Sequence, residues 1–171
     1  DSWVAACSSG EEAYALVIVL EQWSRKGTGR RYVIHASDIS EQAVSVARAG
    51  IYRQSALALP QTDWLARYFQ KGTGSQLGKC RLKAEFRAKI HFHSHNLLTP
   101  AVEKIASDRP YDVIFCRNVL IYFEKSTQQA VIGDLLSYLK PGGHLIVGMA
   151  EHMDTQVQQV TSLGSGVYKK L

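Results

Sequence analysis

Two rhythms of hydrophobic and polar positions alternate along the chain. Segments 3–6, 32–36, 90–95, 111–116 and 144–148 read as strands, several with the unbroken apolar run of a strand covered on both faces. Between them the spacing lengthens to that of a helix. Ala13, Leu16, Val17 and Leu20 stand at i, i+3, i+4 and i+7 within 11–25, and Lys26-Gly27-Thr28-Gly29 stops that helix. Ser40 is placed to cap a second helix over 41–49, and Gly50 suits the position just past its end. Ser126 and Gln129 have the spacing of a capping box, opening a helix that carries Ile132, Leu135, Leu136 and Leu139 and stops at Pro141-Gly142-Gly143. Residues 167–169 read as a last edge strand.

Alternating strands and helices predict an α/β fold, with a mostly parallel sheet and helices on both faces. Residues 51–89 break the rhythm. They hold the turn signals Leu59-Pro60, Gly72-Thr73-Gly74 and Gly78 among short β-like pieces. Trp64, Tyr68, Phe69 and Phe86 need burial, so the stretch reads as an inserted antiparallel β-subdomain and not as a linker. There is no internal repeat. The first strand starts almost at residue 1, as expected of the C-terminal part of a longer chain.

Composition narrows this picture. The 171 residues are 46% hydrophobic and 20% charged, enough for one domain with a core. No apolar run has the ~20 residues of a membrane span, so membrane insertion is not expected. Cys7, Cys80 and Cys116 are odd in number and far apart, which points to a reducing cytoplasm and not to a disulfide framework. The net charge of +5 and pI near 9.2 suit an acidic partner. The bases are dispersed, densest from Lys79 through Arg81, Lys83 and Arg87 to Lys89, and read as a solvated or protein-docking face in preference to a nucleic-acid stripe.

Candidate chemistry gathers where the strands end, since ligands of open α/β sheets sit beyond the C-terminal strand ends. The first such loop is Ala5-Ala6-Cys7-Ser8-Ser9-Gly10-Glu11-Glu12. A phosphate cradle needs several glycines, and only Gly10 is present. Glu11 and Glu12 suit a helix start but repel phosphate. The loop therefore favours a cofactor with positive charge. Asp38, ending the next strand, has the place of a ribose-binding acid. A phosphate-free ribose beside positive charge describes S-adenosylmethionine, although a plain helix start and turn cap would use the same residues. Asn96 and Leu97 follow the third strand, where they could meet an adenine or simply make a turn. Cys116, Arg117 and Asn118 follow the fourth, within an apolar context where polar groups need partners.

The segments "AACSSGEE", "ASDIS", "ARAGIYR", "RYFQKGTG", "NLL", "YDVIFCRNVLIYF" and "LKPGGHLIVGMAE" occur in that order. Together they resemble the chemotaxis receptor glutamate O-methyltransferases, the CheR family, over essentially the whole chain. The first and sixth are specific, whereas "LKPGG" is common among methyltransferases. The resemblance implies a class I methyltransferase fold, Rossmann-like, that transfers a methyl group from S-adenosylmethionine to glutamates on chemoreceptor cytoplasmic helices, leaving S-adenosylhomocysteine. It implies Glu12 at the cofactor's amino-acid end, with Gly10 beside it. Asp38 would hold the ribose, Asn96 and Leu97 the adenine, and Cys116, Arg117 and Asn118 the methionine and sulfur region. Tyr122 would stand near the transferred methyl, with Arg117 and Tyr122 as the catalytic positioning groups. It also implies that 51–89 is a β-subdomain which, in some members, docks a receptor C-terminal peptide by strand addition. The helical N-terminal domain of the family is absent from this sequence, and Ala13 replaces a usual proline.

Methyl transfer to a carboxylate needs no base, because a glutamate of pKa about 4.3 is already ionised at pH 7. Approach geometry and exclusion of water are the expected contributions. No metal is expected: His91, His93 and His95 alternate along one strand, and a strand edge or partly buried face explains them as well as zinc does. Cys7 and Cys116 read as packing residues, since neighbouring carboxylates oppose a reactive thiolate. Other readings stay open: a domain that senses the cofactor or binds receptor peptides without turnover, or a carboxyl methyltransferase for a non-chemotaxis receptor.

Overall fold

A computed structural model describes residues 1–28, 31–57, 59, 63–100, 105, 109–153 and 159–171. Seven strands form the main sheet: β1 (Ser2–Ala5), β2 (Ile34–Asp38), β6 (Ile90–Ser94), β7 (Tyr111–Cys116), β8 (Leu139–Val147), β9 (Val160–Gly164) and β10 (Val167–Lys170). Their order is β6-β2-β1-β7-β8-β10-β9. The first five run parallel, and β10 and β9 are antiparallel additions. From the central β1 the chain passes outward to β2 and β6, then returns to β7 on the other side. That reversal between β1 and β7 is the switch point of the sheet.

Alternation along the strands feeds two cores. Trp3, Ala5, Ile114 and Cys116 join the core shared with helix α5 (Lys125–Ser137), which contributes Val131, Ile132, Leu135 and Leu136. Val4, Ile34 and Ala36 join the other core, with Ala13, Tyr14, Val17 and Ile18 of α1 (Glu11–Trp23). Helix α2 (Glu41–Ala49) begins and ends as expected. The Ser40 hydroxyl accepts from Ala43 N–H, and Gly50 takes a left-handed φ of 60°.

The expected insert has its own three-stranded antiparallel sheet, ordered β3-β5-β4, from β3 (Ile51–Arg53), β4 (Phe69–Lys71) and β5 (Lys79–Leu82). Tyr68, Phe69 and Phe86 are buried, and Trp64 half-buried. Two short helices, α3 (Trp64–Tyr68) and α4 (Ala84–Arg87), were not expected. Pro60, part of the Leu59-Pro60 turn signal, and Gly29 lie outside the described residues. The basic run does not form one outward stripe. Arg81 Nε donates to Ala49 O, Arg87 Nε donates to Leu82 O, and Lys89 pairs with Glu21.

Several boundaries differ from the sequence reading. Helix α1 stops at Trp23 and continues as a wider π-type turn over Ser24–Thr28. The Ser126–Gln129 capping box does not form: the cap stands two residues earlier, at Glu124, which makes no side-chain bond, so Ser126 is already helical. Pro141-Gly142-Gly143 does not end the helix, which closes at Tyr138. These three residues instead lie within β8, in a register shift between Leu139, opposite Tyr111, and His144, opposite Val113. Strand β10 is not an edge. It lies between β8 and β9, and β9 was missed because only Val160 among its five residues is buried.

Candidate functional site

Parallel strands bring their C-terminal ends to one side of the sheet, and the loops there enclose a cleft in two adjoining parts. One hollow of about 380 Å³ is lined by Ser8, Glu11, Glu12, Asp38, Arg117 and Asn118, among others. Its neighbour of about 290 Å³ is lined mainly by apolar groups, including Ile39, Leu97, Leu98, Val119 and Phe123, with Asn96, His95 and Tyr122. Ala6, Asp38 and Val119 border both parts. Glu12, Asp38, Asn96, Leu97, Arg117, Asn118 and Tyr122 therefore share one cleft. Gly10 and Cys116 stand behind the lining.

The loop after β1 is held in place from three directions. Ala6 and Ser8 take left-handed φ values of 61° and 49°. The Asp38 carboxylate accepts from Ser8 N–H at 2.8 Å and from Ser40 N–H at 3.0 Å. Tyr52, reaching from the inserted sheet, donates its hydroxyl to Ser9 O at 2.5 Å. Gly10 has φ 92° and donates its N–H to Cys7 O. A Cβ at Gly10 would lie 2.8 Å from that of Ala47 and 3.3 Å from the Tyr52 hydroxyl. The glycine thus lets the start of α1 close onto α2.

Charge across the cleft is paired. Arg117 Nη1 donates to Glu12 Oε1 at 2.6 Å, with both side chains still partly exposed. An acid at the start of α1 and a base after β7 thus face the same hollow. Asn118, at φ 57°, turns the chain sharply after Arg117. Tyr122 is 80% exposed at the rim of the apolar hollow. Asn96 Oδ1 accepts from Leu98 N–H, which fixes the turn after β6 and leaves the Asn96 amide nitrogen available.

Neither cleft cysteine has the environment of a nucleophile. Burial first, then the Asp38 charge, pushes the Cys7 thiol up to about 12. Burial, then Glu151 and Glu12, does the same to Cys116. His91 and His93 lie on the edge strand β6, where His93 stacks on His35 of β2 with ring centroids 5.4 Å apart, while His95, just past β6, is buried beside Trp3. Among the described residues, no three His, Cys, Asp or Glu side chains are grouped to hold a metal ion. Nor is any helix there long and apolar enough to cross a membrane.

Sequence reasoning missed Glu151, which is 5% exposed. Its carboxylate accepts from the N–H groups of Asn118, Leu120, Ile121 and Gly148. No local signal marked it, since an acid in the turn after a strand ordinarily faces solvent, as its neighbours Ala150 and His152 do.

The donor set fits S-adenosylmethionine: a carboxylate and a guanidinium for an α-amino acid end, an acid between the hollows for ribose hydroxyls, and an apolar slot beside an amide for a purine. Comparison with known proteins agrees. Residues 1–168 match the family model "CheR methyltransferase, SAM binding domain". A chemotaxis protein methyltransferase of Salmonella typhimurium is 39% identical over 97% of this chain and 56% of its own length. Its namesake in Escherichia coli is 37% identical over 97% of this chain and 57% of its own. The chain thus spans a little over half the length of these curated relatives. Among solved structures, the glycopeptide N-methyltransferase MtfA shares the fold at a TM-score of 0.52 and 11% identity, over 85% of this chain and 44% of that one. The methyltransferase domain of bacterial CtHen1-C does so at 0.51 and 14%, over 86% of this chain and 55% of that one. The mostly parallel sheet is that of a class I methyltransferase, and the chain belongs to the CheR methyltransferase SAM-binding domain family.

Proposed function

We propose that this chain carries the methyl-transferring cleft of an enzyme that esterifies glutamate side chains of chemoreceptors. The observation that carries the reading is the two-part cleft, with the Glu12–Arg117 pair in one part, the apolar slot in the other and Asp38 between. S-adenosylmethionine supplies an electrophilic methyl group on a sulfonium. Glu12 holds the positive ammonium of its amino-acid end and Arg117 the carboxylate, each meeting its opposite charge. Asp38 accepts from the ribose hydroxyls, while Asn96 and Leu97 read and pack the adenine. Gly10, Cys116 and Asn118 shape the walls behind these groups. Tyr122 stands at the rim, where an incoming carboxylate must approach. The acceptor arrives ionised, so the protein's part is to align it and exclude water, not to move a proton.

Exposed Ile39, Leu98, Ile121 and Tyr122 follow the same strand ends and offer the apolar face of an amphipathic receptor helix a docking rim. The small sheet has an open edge at β4, beside a shallow hollow of about 170 Å³ lined by Lys71, Lys79 and Arg81 among others. This edge suits an added strand from an acidic receptor C-terminal peptide. Cofactor labelled in its methyl group, incubated with the chain and receptor-rich membranes, should leave label on receptors that mild base removes. Base-stable label would contradict ester formation, and bound cofactor without any transfer would favour a sensing domain.

A further inference from the structure

Glu151 follows β8 in a turn that its own N–H closes onto Gly148 O at 2.9 Å. Its side chain points back under the loop after β7. One oxygen accepts from Leu120 N–H at 2.8 Å and from Ile121 N–H at 3.4 Å. The other accepts from Asn118 N–H at 3.0 Å and from Gly148 N–H at 2.5 Å. Among the described residues it makes no ion pair. A buried carboxylate held by amides, with no cation beside it among the described residues, carries a desolvation cost that charge-assisted bonds must offset. Three of the four donors belong to the segment that bears Arg117 and Tyr122, on either side of the left-handed turn at Asn118. Gly148 is required by the same cluster: a Cβ there would lie 2.6 Å from Glu151 Oε2 and 2.7 Å from Asn118 Oδ1.

We infer that Glu151 is a positioning residue, whose buried carboxylate fixes the loop 117–122 so that Arg117 faces Glu12 and Tyr122 faces the acceptor's path. The inference rests on the cofactor reading above for its effect on binding, but not for its effect on the loop. In Glu151→Gln one oxygen becomes an NH₂ that meets N–H donors, so part of the cluster must break. Asp keeps both acceptors at shorter reach and should restore part of what Gln loses.

Amide hydrogen exchange and calorimetry with S-adenosylhomocysteine test this together. Glu151→Gln should speed exchange at Asn118, Leu120 and Gly148 while Val4 and Ile114 stay protected. It should also weaken S-adenosylhomocysteine by roughly tenfold or more, as loss of a charge-assisted bond implies. Glu151→Asp should fall between it and the unmodified chain. Gly148→Ala displaces the carboxylate without removing it and should give the same local signature, a second route if Glu151→Gln does not fold. Exchange that rises evenly across the sheet, or unchanged exchange with unchanged affinity, would overturn the inference. An unmodified chain that binds no S-adenosylhomocysteine would overturn the cofactor reading instead, while the exchange pattern still reports on Glu151.

Discussion

Arg117 and Glu12, 105 positions apart in sequence, meet at 2.6 Å across the mouth of the cleft. Each is partly exposed, so the pair contributes only about 0–1 kcal/mol to stability. In the proposed function it presents opposite charges to a zwitterion. Single changes Glu12→Gln and Arg117→Gln should shift denaturant midpoints little, yet weaken S-adenosylhomocysteine roughly tenfold or more in calorimetry. The double exchange Glu12→Arg with Arg117→Glu keeps an ion pair but reverses its sense. It should bind no better than the single variants. Recovery of the original affinity would mean that the pair only braces the loops.

The close packing of α1 on α2 rests on Gly10. Gly10→Ala must accept φ 92° and a Cβ at 2.8 Å from that of Ala47. A loss of about 1–3 kcal/mol in urea denaturation is expected from these two faults together. Adding Ala47→Gly should relieve the closest contact but not the backbone strain, and so restore only part. Full restoration would place the whole cost in the contact.

Acid sensitivity should trace in part to Glu21, which is 8% exposed. Burial alone would raise its pKa, but hydrogen bonds from Lys89 and Tyr32 outweigh it and hold the carboxyl below its ordinary 4.5. A depressed carboxylate contributes stability that is present above the unfolded value and is lost as pH falls through the folded one. Urea stability measured at pH 7 and at pH 4 should therefore drop further for the native sequence than for Glu21→Gln. Equal drops would show that Glu21 does not contribute.

All three cysteines are buried, and Cys7 and Cys116 are pushed up to about 12. At pH 8 both thiols are then almost wholly protonated. An aromatic disulfide reagent should label the native chain slowly and the unfolded chain promptly. Prompt labelling of Cys7 in the native state would contradict the closed loop described above.

Much of the cleft was legible because parallel strands share a direction. Asp38, Asn96 and Arg117 each follow a strand pattern, and parallel pairing alone puts such positions side by side. The capping of α2 was legible because both of its signals are local. Contacts between distant segments were not. Nothing near Glu151 reveals the three amides it holds 30 and more positions away. The bracing of Ser9 by Tyr52 needed the inserted sheet in place. Strand β9 hid because an edge strand with one buried residue has no apolar rhythm. The Ser126–Gln129 spacing misled because a helix can start one residue before a good cap when Glu124 N-terminal to it is already extended.

In the proposed function the cleft lined by Glu12, Asp38 and Arg117 holds a charged nucleoside without phosphate. Calorimetric titration of the chain with S-adenosylhomocysteine, repeated on Asp38→Ala, tests it most directly. Saturable binding by the native sequence, weakened roughly tenfold or more by Asp38→Ala, is the predicted result. No binding by the native sequence would contradict the claim, and equal binding by both would contradict the place given to the ribose.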